Sequence, residues 1–352
     1  MKVHSASEAV WPALLRTYSY LFRPFTWETF LKLATVATLC EGFLVSFKFI
    51  VPNTFPFDID TTRWKSLLLS SGFLPVTVLG AIALLIAAIY AFFLLSQLRF
   101  AFFHSLVHQT RNFRKAAKLY SAESERFFTG CALVWLAFLI LLVLVIILFI
   151  VAGYTVLNTQ TPEGKLDPGH FLILFFPCLG IFAVLILAAC AAQVVLNDFI
   201  LPHMAIEGVS FSRAWSEARA RMAANKETFA SFFILRLTMP LVAGVALALL
   251  AWLMGLAVFG LLDMSTAGFD AMLDGSGGLR AAVLTAIHIL FYFLGLATGW
   301  VLAVTFSGPL CVFMRAYALY FYGGHYKALG NLLEPQAPLT ALAEKRTELS
   351  TP

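Results

Sequence analysis

The sequence predicts an all-α protein, a polytopic helical membrane bundle with six transmembrane helices, and its composition and apolar runs carry this prediction. Of its 352 residues, 61% are hydrophobic and only 12% are charged, whereas a soluble domain carries about a quarter charged residues. Apolar runs repeatedly exceed the roughly 20 residues that cross the hydrocarbon core of a bilayer. Because runs such as residues 132–151 do not alternate apolar and polar side chains, a membrane β-barrel is excluded.

Capping signals and apolar runs place the six spans. Thr26 is suited to be the N-cap of the first span and Glu28 to its first turn, and this span is expected to end near residue 51. The other spans are predicted at about residues 74–108, 125–153, 170–201, 227–262 and 280–312. A helix over residues 74–108 is about 50 Å long at 1.5 Å per residue, so its last turns are expected to project beyond the bilayer. Loops at residues 52–73, 158–169 and 263–279 join the two spans of each pair.

The link between the fourth and fifth spans predicts a short amphipathic helix. Its apolar residues recur at i, i+3, i+4, i+7 and i+11, the spacing of one helix face: Phe211, Ala214, Trp215, Ala218 and Met222. Similar stripes occur at residues 11–22 and 113–120. Since these helices adjoin membrane spans, we expect them at the membrane surface, with the aromatic face towards lipid or the bundle. Such a helix is either a packed connector or a docking site for lipid head groups or a partner.

A Glu-x-Phe sequence opens the first, third and fifth spans, which indicates an internal repeat. The copies are Glu28/Phe30, Glu125/Phe127 and Glu227/Phe229, at spacings of 97 and 102 residues. Each copy follows an amphipathic stripe, so we predict three tandem, parallel two-span units at about residues 8–108, 111–206 and 210–322. They form a single six-span domain, residues 1–322. Residues 323–352 are expected to be a disordered cytoplasmic tail.

The distribution of basic residues predicts the orientation. Lys and Arg number 17 in the regions on one side of the membrane, residues 1–27, 99–126, 203–228 and 312–352. The opposite regions, residues 48–73, 154–170 and 263–280, carry 5. The positive-inside rule therefore places both termini and the amphipathic helices in the cytoplasm of a multi-pass protein of the cell (inner) membrane. This topology also explains the net charge of +5 without nucleic acid as a partner.

Ionisable residues at membrane depth are the first candidates for a functional site. Glu41 lies 13 residues after Glu28, about 20 Å along the first span, and Arg236 lies nine residues after Glu227 on the fifth. Glu41 and Arg236 are therefore a candidate intramembrane polar pair, with Lys48 as a rival partner of Glu41. We interpret the pair as a structural ion pair or, alternatively, as part of a proton or ion relay.

A second group of charges is predicted near the basic side of the bundle. Asp198 lies at the end of the fourth span, and Arg99 and Arg315 lie near the corresponding ends of the second and sixth spans. An Asp198–Arg99 or Asp198–Arg315 pair would tie the ends of the helices together. In the alternative interpretation, the arginines form a site for anionic lipid head groups or another ligand.

Several kinds of chemistry lack support in the sequence. The five cysteines lie in apolar segments without a CxxC pair, which provides neither a disulfide framework nor a metal site. His104 and His108 are spaced i, i+4 but have no acidic or cysteine partner nearby, so we predict no bound metal and no cofactor. No Walker, GxSxG or GxGxxG motif is present, and we expect no enzymatic activity.

Three segments resemble those of a known group of proteins: LNDFILPHMA followed by SFSRAW, LRFAFFHSLVHQTRNFRKA, and GPLCVFMRAYALYF. They are similar to segments of uncharacterised bacterial six-span membrane proteins related to the membrane domain of some glycerophosphodiester phosphodiesterases. The resemblance covers most of residues 8–322. In those phosphodiesterases, hydrolysis belongs to a separate soluble barrel with acidic and His metal ligands. That barrel is not found in these 352 residues, so the resemblance implies no catalytic residue.

These observations predict a non-enzymatic integral membrane protein that acts as a scaffold, a lipid-binding protein or an accessory subunit of a membrane complex. Its expected partners are the lipid bilayer, anionic lipid head groups, and a protein partner or further copies of itself. The alternative is a transporter or permease-like component for a lipid or small solute, with Glu41 and Arg236 lining its path. A membrane enzyme with an unrecognised site is a third class.

Overall fold

The computed structural model describes residues 5–41, 74–158, 168–242 and 277–334, together with a few isolated positions between 244 and 260. Every regular element in these residues is helical, which confirms the all-α prediction. The helices are α1 (Val10–Phe22), α2 (Trp27–Cys40), α3 (Leu74–His108), α4 (Phe113–Leu119), α5 (Ser121–Asn158), α6 (Pro168–Val194), α7 (Leu201–Glu207), α8 (Phe211–Ala224), α9 (residues 226–242), α10 (Gly277–His325) and α11 (Lys327–Leu333). A π-helical turn, Val195–Ile200, joins α6 to α7.

Four helical stretches within the described residues are long and apolar enough to cross a membrane: Pro75–His108, Ser121–Tyr154, Phe176–Glu207 and Ala297–His325. They correspond to the predicted second, third, fourth and sixth spans. The expected helix over residues 74–108 is confirmed as α3. The predicted first and fifth spans coincide at their starts with α2 and α9, but residues 42–51 of the first and most of residues 243–262 of the fifth lie outside the described residues. Most of each predicted outer loop does so as well.

Local sequence signals fix where several helices begin and end. The hydroxyl of Thr26 accepts a hydrogen bond from the Thr29 amide at 3.4 Å and caps α2 as expected. Asn112 caps α4 in the same way, with its Oδ1 3.2 Å from the Lys115 amide. Gly208 ends α7 with φ of 63°, a left-handed conformation that glycine adopts without steric cost. This turn directs α8 back across the end of the bundle.

Arg16 and Arg111, which the positive-inside count includes, also donate hydrogen bonds to carbonyl groups at or beyond helix ends. The guanidinium of Arg16 on α1 donates to the carbonyl oxygen of Leu106, at 3.1 Å, and to that of Val107, both in the last turn of α3. Arg111 donates to the carbonyl oxygen of Arg23, beyond α1, at 2.8 Å. Because terminal carbonyl groups lack partners within their own helix, these contacts fasten α1 to α3.

Buried side chains concentrate at one end of the bundle, where α3, α7 and α10 end and where α1, α4, α8 and α11 pack; we call it the connector end. Its centre is aromatic, with the rings of Phe232 and Phe321 stacked at 4.3 Å. Farther along the spans, large apolar side chains of α3, α5 and α6 are exposed, as expected for helices that contact lipid. A close approach joins α2 to α10, where Gly308 lies against Ala34.

The amphipathic helices use their apolar stripes in two ways. On α8 the stripe faces the protein, because Ala214 and Ala218 are fully buried and the ring of Phe211 lies on Gly130 of α5. On α1 the stripe faces outward: Trp11, Leu14, Leu15, Tyr18 and Phe22 are exposed. The buried side of α1 is instead formed by small and aromatic residues on the opposite face.

The tail begins later than we predicted. Residues 323–333 are helical, since α10 continues to His325 and α11 follows it. Leu329 and Leu333 are buried in the connector end, with Leu333 next to Gly323. The apolar residues of α11 therefore hold this segment against the bundle, and the expectation of disorder from residue 323 is wrong for it. Residues 335–352 lie outside the described residues.

Candidate functional site

Four charged side chains form a chain of ion pairs inside the bundle. The carboxylate of Glu41 accepts a hydrogen bond from Nη2 of Arg236 at 2.7 Å. Nε of Arg236 donates to Oδ2 of Asp198 at 3.0 Å, and Nη1 of Arg315 donates to the other oxygen, Oδ1, at 2.8 Å. Asp198 and Arg236 thus each serve two partners, and we call these four residues the charge network.

Each member of the charge network comes from a different element. Glu41 lies at the C-terminal end of α2, where its amide bonds to the carbonyl oxygen of Ala37. Arg236 lies on α9, and Arg315 on α10. Asp198 lies in the π-helical turn, a wider coil that often marks a functional position within a helix. The network therefore connects four helical segments that are distant in the sequence.

The network lies in a setting where charges interact strongly. The side chains of Asp198, Arg315 and Arg236 have 0%, 3% and 9% of their surface exposed. Phe199, the residue after Asp198, and Phe232, four residues before Arg236 on α9, are fully buried. Removing charges from water is costly, and the hydrogen bonds within the ion pairs offset part of this cost. Loss of one member would leave its partner charged and buried.

Arg99 adds a third cation beside the network. It is 5% exposed, and its Nε donates to the carbonyl oxygen of Cys40, the neighbour of Glu41, at 3.3 Å. Within the described part of the chain, no ion pair joins Arg99 to a carboxylate. Among the described residues, three buried guanidinium groups thus lie near one fully buried and one partly buried carboxylate, an excess of one cationic group.

Three polar atoms near the network have no hydrogen-bond partner among the described residues. They are Oδ1 of Asn197, Nε of Arg315 and the hydroxyl of Tyr317. Such buried atoms are uncommon, because moving a polar group out of water without a new hydrogen-bond partner destabilises the folded state. They can be satisfied by water or by a small polar ligand next to the arginines.

The structure brings together most of the residues that we singled out in the sequence. It places Glu41 with Arg236 and Asp198 with Arg315, whereas Arg99 bonds to a backbone carbonyl. It also joins the two predicted groups into one, through the contact between Arg236 and Asp198, which we did not anticipate. Lys48, the rival partner of Glu41, lies outside the described residues.

His104 and His108 share a helix face, as their i, i+4 spacing allows. The rings of His104 and His108 are 4.4 Å apart, and Nδ1 of His104 bonds to the hydroxyl of Tyr120 at 3.2 Å. A separate cluster of His203, Glu207 and Glu217, which the sequence analysis missed, lies at the connector end. The i, i+4 spacing of His203 and Glu207 was a visible signal, but the approach of Glu217 depends on the turn at Gly208.

Together these features define an integral membrane protein of helical type with ion pairs in its interior. Residues 4–332 match the family of unknown function DUF7544, and the chain belongs to this family. No curated protein matches the chain, and no solved structure does.

Proposed function

We propose that the protein is a non-enzymatic integral membrane protein that acts as a scaffold, a lipid-binding protein or an accessory subunit of a membrane complex. The observation that carries this proposal is the closure of the charge network. Both carboxylates are bonded to arginines. Charges arranged in this way stabilise one packing of the helices, which a scaffold requires.

The outer face of α1 supports a role in lipid binding. Trp11 and Trp27, with 68% and 63% of their surface exposed, flank the exposed stripe of α1. The ring of Tyr18 on that stripe lies next to the guanidinium of Arg23, 5.4 Å away. Aromatic and basic side chains of this kind favour the boundary between head groups and acyl chains.

An apolar groove between α3 and α5 offers a place for an acyl chain. It has a volume of about 400 Å³ and is lined by Ile86, Ile89, Tyr90, Phe93 and Phe128.

Six spans in three tandem units remain our proposal for the architecture. In each Glu-x-Phe copy, the Phe side chain is buried and the Glu side chain is exposed. The copies are Glu28/Phe30, Glu125/Phe127 and Glu227/Phe229. Equivalent residues in equivalent environments support a repeat of the whole unit. The first and fifth spans would then continue beyond α2 and α9.

We also propose an inner-membrane location with both termini in the cytoplasm. The support is the distribution of basic residues along the sequence, with 17 in the regions predicted to be cytoplasmic and 5 in the opposite regions. Reporter fusions after residue 334 and within residues 263–276 would test this orientation. A cytoplasmic reporter active only at the first position is expected, and activity only at the second would refute it.

A transporter or permease-like component for a lipid or small solute is the second candidate function. It is favoured by the excess of one cationic group among the described residues of this region and by the three buried polar atoms without a described hydrogen-bond partner. An anionic solute or lipid head group would supply the missing charge and the missing hydrogen bonds. In this case Glu41 and Arg236 would line the path.

Native mass spectrometry of protein purified gently from its own membranes distinguishes these functions. A stoichiometric protein partner would support an accessory subunit, and further copies of the chain would support a scaffold. A retained lipid or small molecule that is lost in R99Q and R315Q variants would support binding at the arginines. If the wild-type chain retains neither partner nor lipid, the proposed function is wrong.

We further propose that the family is related to the membrane domain of some glycerophosphodiester phosphodiesterases. The support is the resemblance of the three segments named above, which include the π-helical turn with Asp198 and the C-terminal half of α10 with Arg315. An experimental structure of such a membrane domain would test the relationship. A corresponding carboxylate–arginine pair is expected there.

A further inference from the structure

Three potential metal ligands meet at the connector end, apart from the charge network. His203 and Glu207 are four residues apart on α7, so their side chains lie on one helix face. Glu217 reaches the same place from α8. Nδ1 of His203 is 3.7 Å from Oε1 of Glu207 and 3.7 Å from Oε2 of Glu217. One ligand atom from each residue lies within 4.8 Å of the other two.

The His203 imidazole is fully buried, yet its Nδ1 atom forms no hydrogen bond to any described residue. At 3.7 Å, both carboxylate oxygens are too distant to accept one. A buried polar atom without a partner is unfavourable. This nitrogen instead faces two carboxylates across a gap that a single ion would fill.

Tyr322 on α10 and Tyr326 directly after α10 fix the positions of His203 and Glu207. The hydroxyl of Tyr322 lies 2.6 Å from Nε2 of His203, and the ring of Tyr326 covers the imidazole with centres 4.2 Å apart. The hydroxyl of Tyr326 also donates to Oε1 of Glu207 at 2.6 Å.

Glu217 is held from its other oxygen. Nε of Arg213 donates to Oε1 at 3.2 Å, while Oε2 lies 3.7 Å from Nδ1 of His203 and 3.6 Å from Nη1 of Arg221. With 28% of its side chain exposed, Glu217 also leaves the cluster open to ions from solution.

We propose that His203, Glu207 and Glu217 bind one first-row divalent transition-metal ion, Zn²⁺ being the best match, which clamps α8 to α7. One imidazole and two carboxylates form a ligand set that Zn²⁺ accepts, with water in the fourth position. Bonds of about 2.0–2.2 Å in a tetrahedron separate ligand atoms by about 3.4 Å. The two separations from Nδ1 of His203, both 3.7 Å, need to shrink by only a few tenths of an ångström, and the third, between the two carboxylates, lies within 4.8 Å. Mg²⁺ and Ca²⁺ are disfavoured because they prefer oxygen ligands alone.

Arg221 competes with the ion. Its Nη1 lies 2.7 Å from Nε2 of His203, and since a guanidinium only donates, Nε2 accepts and the ring proton is on Nδ1. When the ion binds Nδ1, that proton leaves and Nε2 takes one up, keeping the imidazole neutral. Nε2 then donates to Tyr322, the usual outer contact of a metal-bound histidine. Arg221 must withdraw, and its guanidinium already lies over the ring of Tyr326 at 4.9 Å.

A competition titration tests the site in the full chain, purified in nanodiscs and treated with EDTA. Zn²⁺ is added in the presence of a chromophoric chelator, and one ion per chain is expected. E207Q and E217Q should each weaken binding by at least about 100-fold, because loss of outer contacts alone costs about 10–100-fold. R221Q should tighten binding, since it removes a competing cation. If the cluster had only a structural role, R221Q would not tighten Zn²⁺ binding.

Two control variants and one spectrum complete the test. H108Q alters the other histidine pair and E227Q removes an exposed carboxylate near α8, and both should bind Zn²⁺ as the wild type does. X-ray absorption of the bound Zn²⁺ should show one imidazole with oxygen ligands and no sulfur. Failure of the wild type to bind one ion, full binding by E217Q, or a sulfur ligand would each overturn the proposal.

Discussion

Replacing Asp198 with Asn tests the charge network at its centre. Asp198 is fully buried and bonds to two guanidinium groups, Arg236 at 3.0 Å and Arg315 at 2.8 Å. Asn keeps the shape of the side chain but removes its charge, and its amide group is a donor that faces another donor. Arg236 retains Glu41 in this variant. Arg315 would retain no carboxylate partner among the described residues.

The magnitude follows from the cost of an uncompensated buried charge. Removing one partner of a buried ion pair costs about 3–5 kcal/mol, and we expect this loss of unfolding free energy for D198N. E41Q should cost less, about 1–3 kcal/mol, because Arg236 keeps its bond to Asp198 and Glu41 is 12% exposed. E227Q is the matched control and should change stability by no more than about 0.5 kcal/mol, since Glu227 is exposed.

Reversible unfolding in mixed micelles measures these differences on the purified full chain. The combination of D198N with R315Q is informative, because removing both charges leaves fewer charges unpaired than removing one. We expect the double variant to be more stable than the sum of the single effects by about 1 kcal/mol or more. Our reasoning would be refuted if D198N were as stable as E227Q, or if the two single effects were simply additive.

Three further predictions concern packing, a helix end and the membrane boundary. G308A should lower the free energy of unfolding by about 1–3 kcal/mol, because the added methyl group overlaps Ala34. G180A is the control and should be neutral, since no atom lies within 4 Å of the added methyl group. Equal effects of the two changes would contradict the close packing of α2 on α10. G208A should cost about 1 kcal/mol at φ of 63°, and G208N should cost less since Asn tolerates this conformation; thermal unfolding of both variants compares them. Lipids brominated near the head group should quench the fluorescence of Trp11 more than lipids brominated at the end of the acyl chain. The Trp11 signal is obtained as the difference between the wild type and W11F. Stronger quenching from the chain end would exclude a boundary position for α1.

Much of the helical layout could be predicted from the sequence because it depends on local properties. The end of α3 at His108 follows from the apolar run that fills most of the helix and from the polar segment after it. The cap at Thr26 follows from a side chain and an amide three residues apart. Such features require no knowledge of neighbouring helices, since side-chain hydropathy and capping geometry indicate them.

The orientation of the amphipathic faces could not be predicted in the same way. The stripes of α1 and α8 have the same spacing, yet α1 exposes Trp11 and Tyr18 while α8 buries Ala214 and Ala218. The spacing shows that a helix has an apolar face, but lipid and protein are both apolar surroundings for it. The difference comes from residues of other elements, such as Gly130, whose missing side chain admits the ring of Phe211.

The charge network was predictable as two pairs but not as one group, since helical position gives depth and not distance between helices. Depth along α2 and α9 was enough to match Glu41 with Arg236. The contact from Arg236 to Asp198 depends on the π-helical turn, which rotates Asp198 relative to a regular helix. No sequence pattern that we recognise predicts this turn.

The composition of the network also bears on how the proposed units cooperate. Glu41 belongs to the first unit, Asp198 to the second, and Arg236 and Arg315 to the third. A third unit folded alone would bury two arginines without a carboxylate, and a second unit alone would bury Asp198 without a cation, each at a cost of several kcal/mol. Neither cost arises once the units pack together and the ion pairs form. The three units are therefore expected to fold as one cooperative domain, in spite of their tandem order in the sequence.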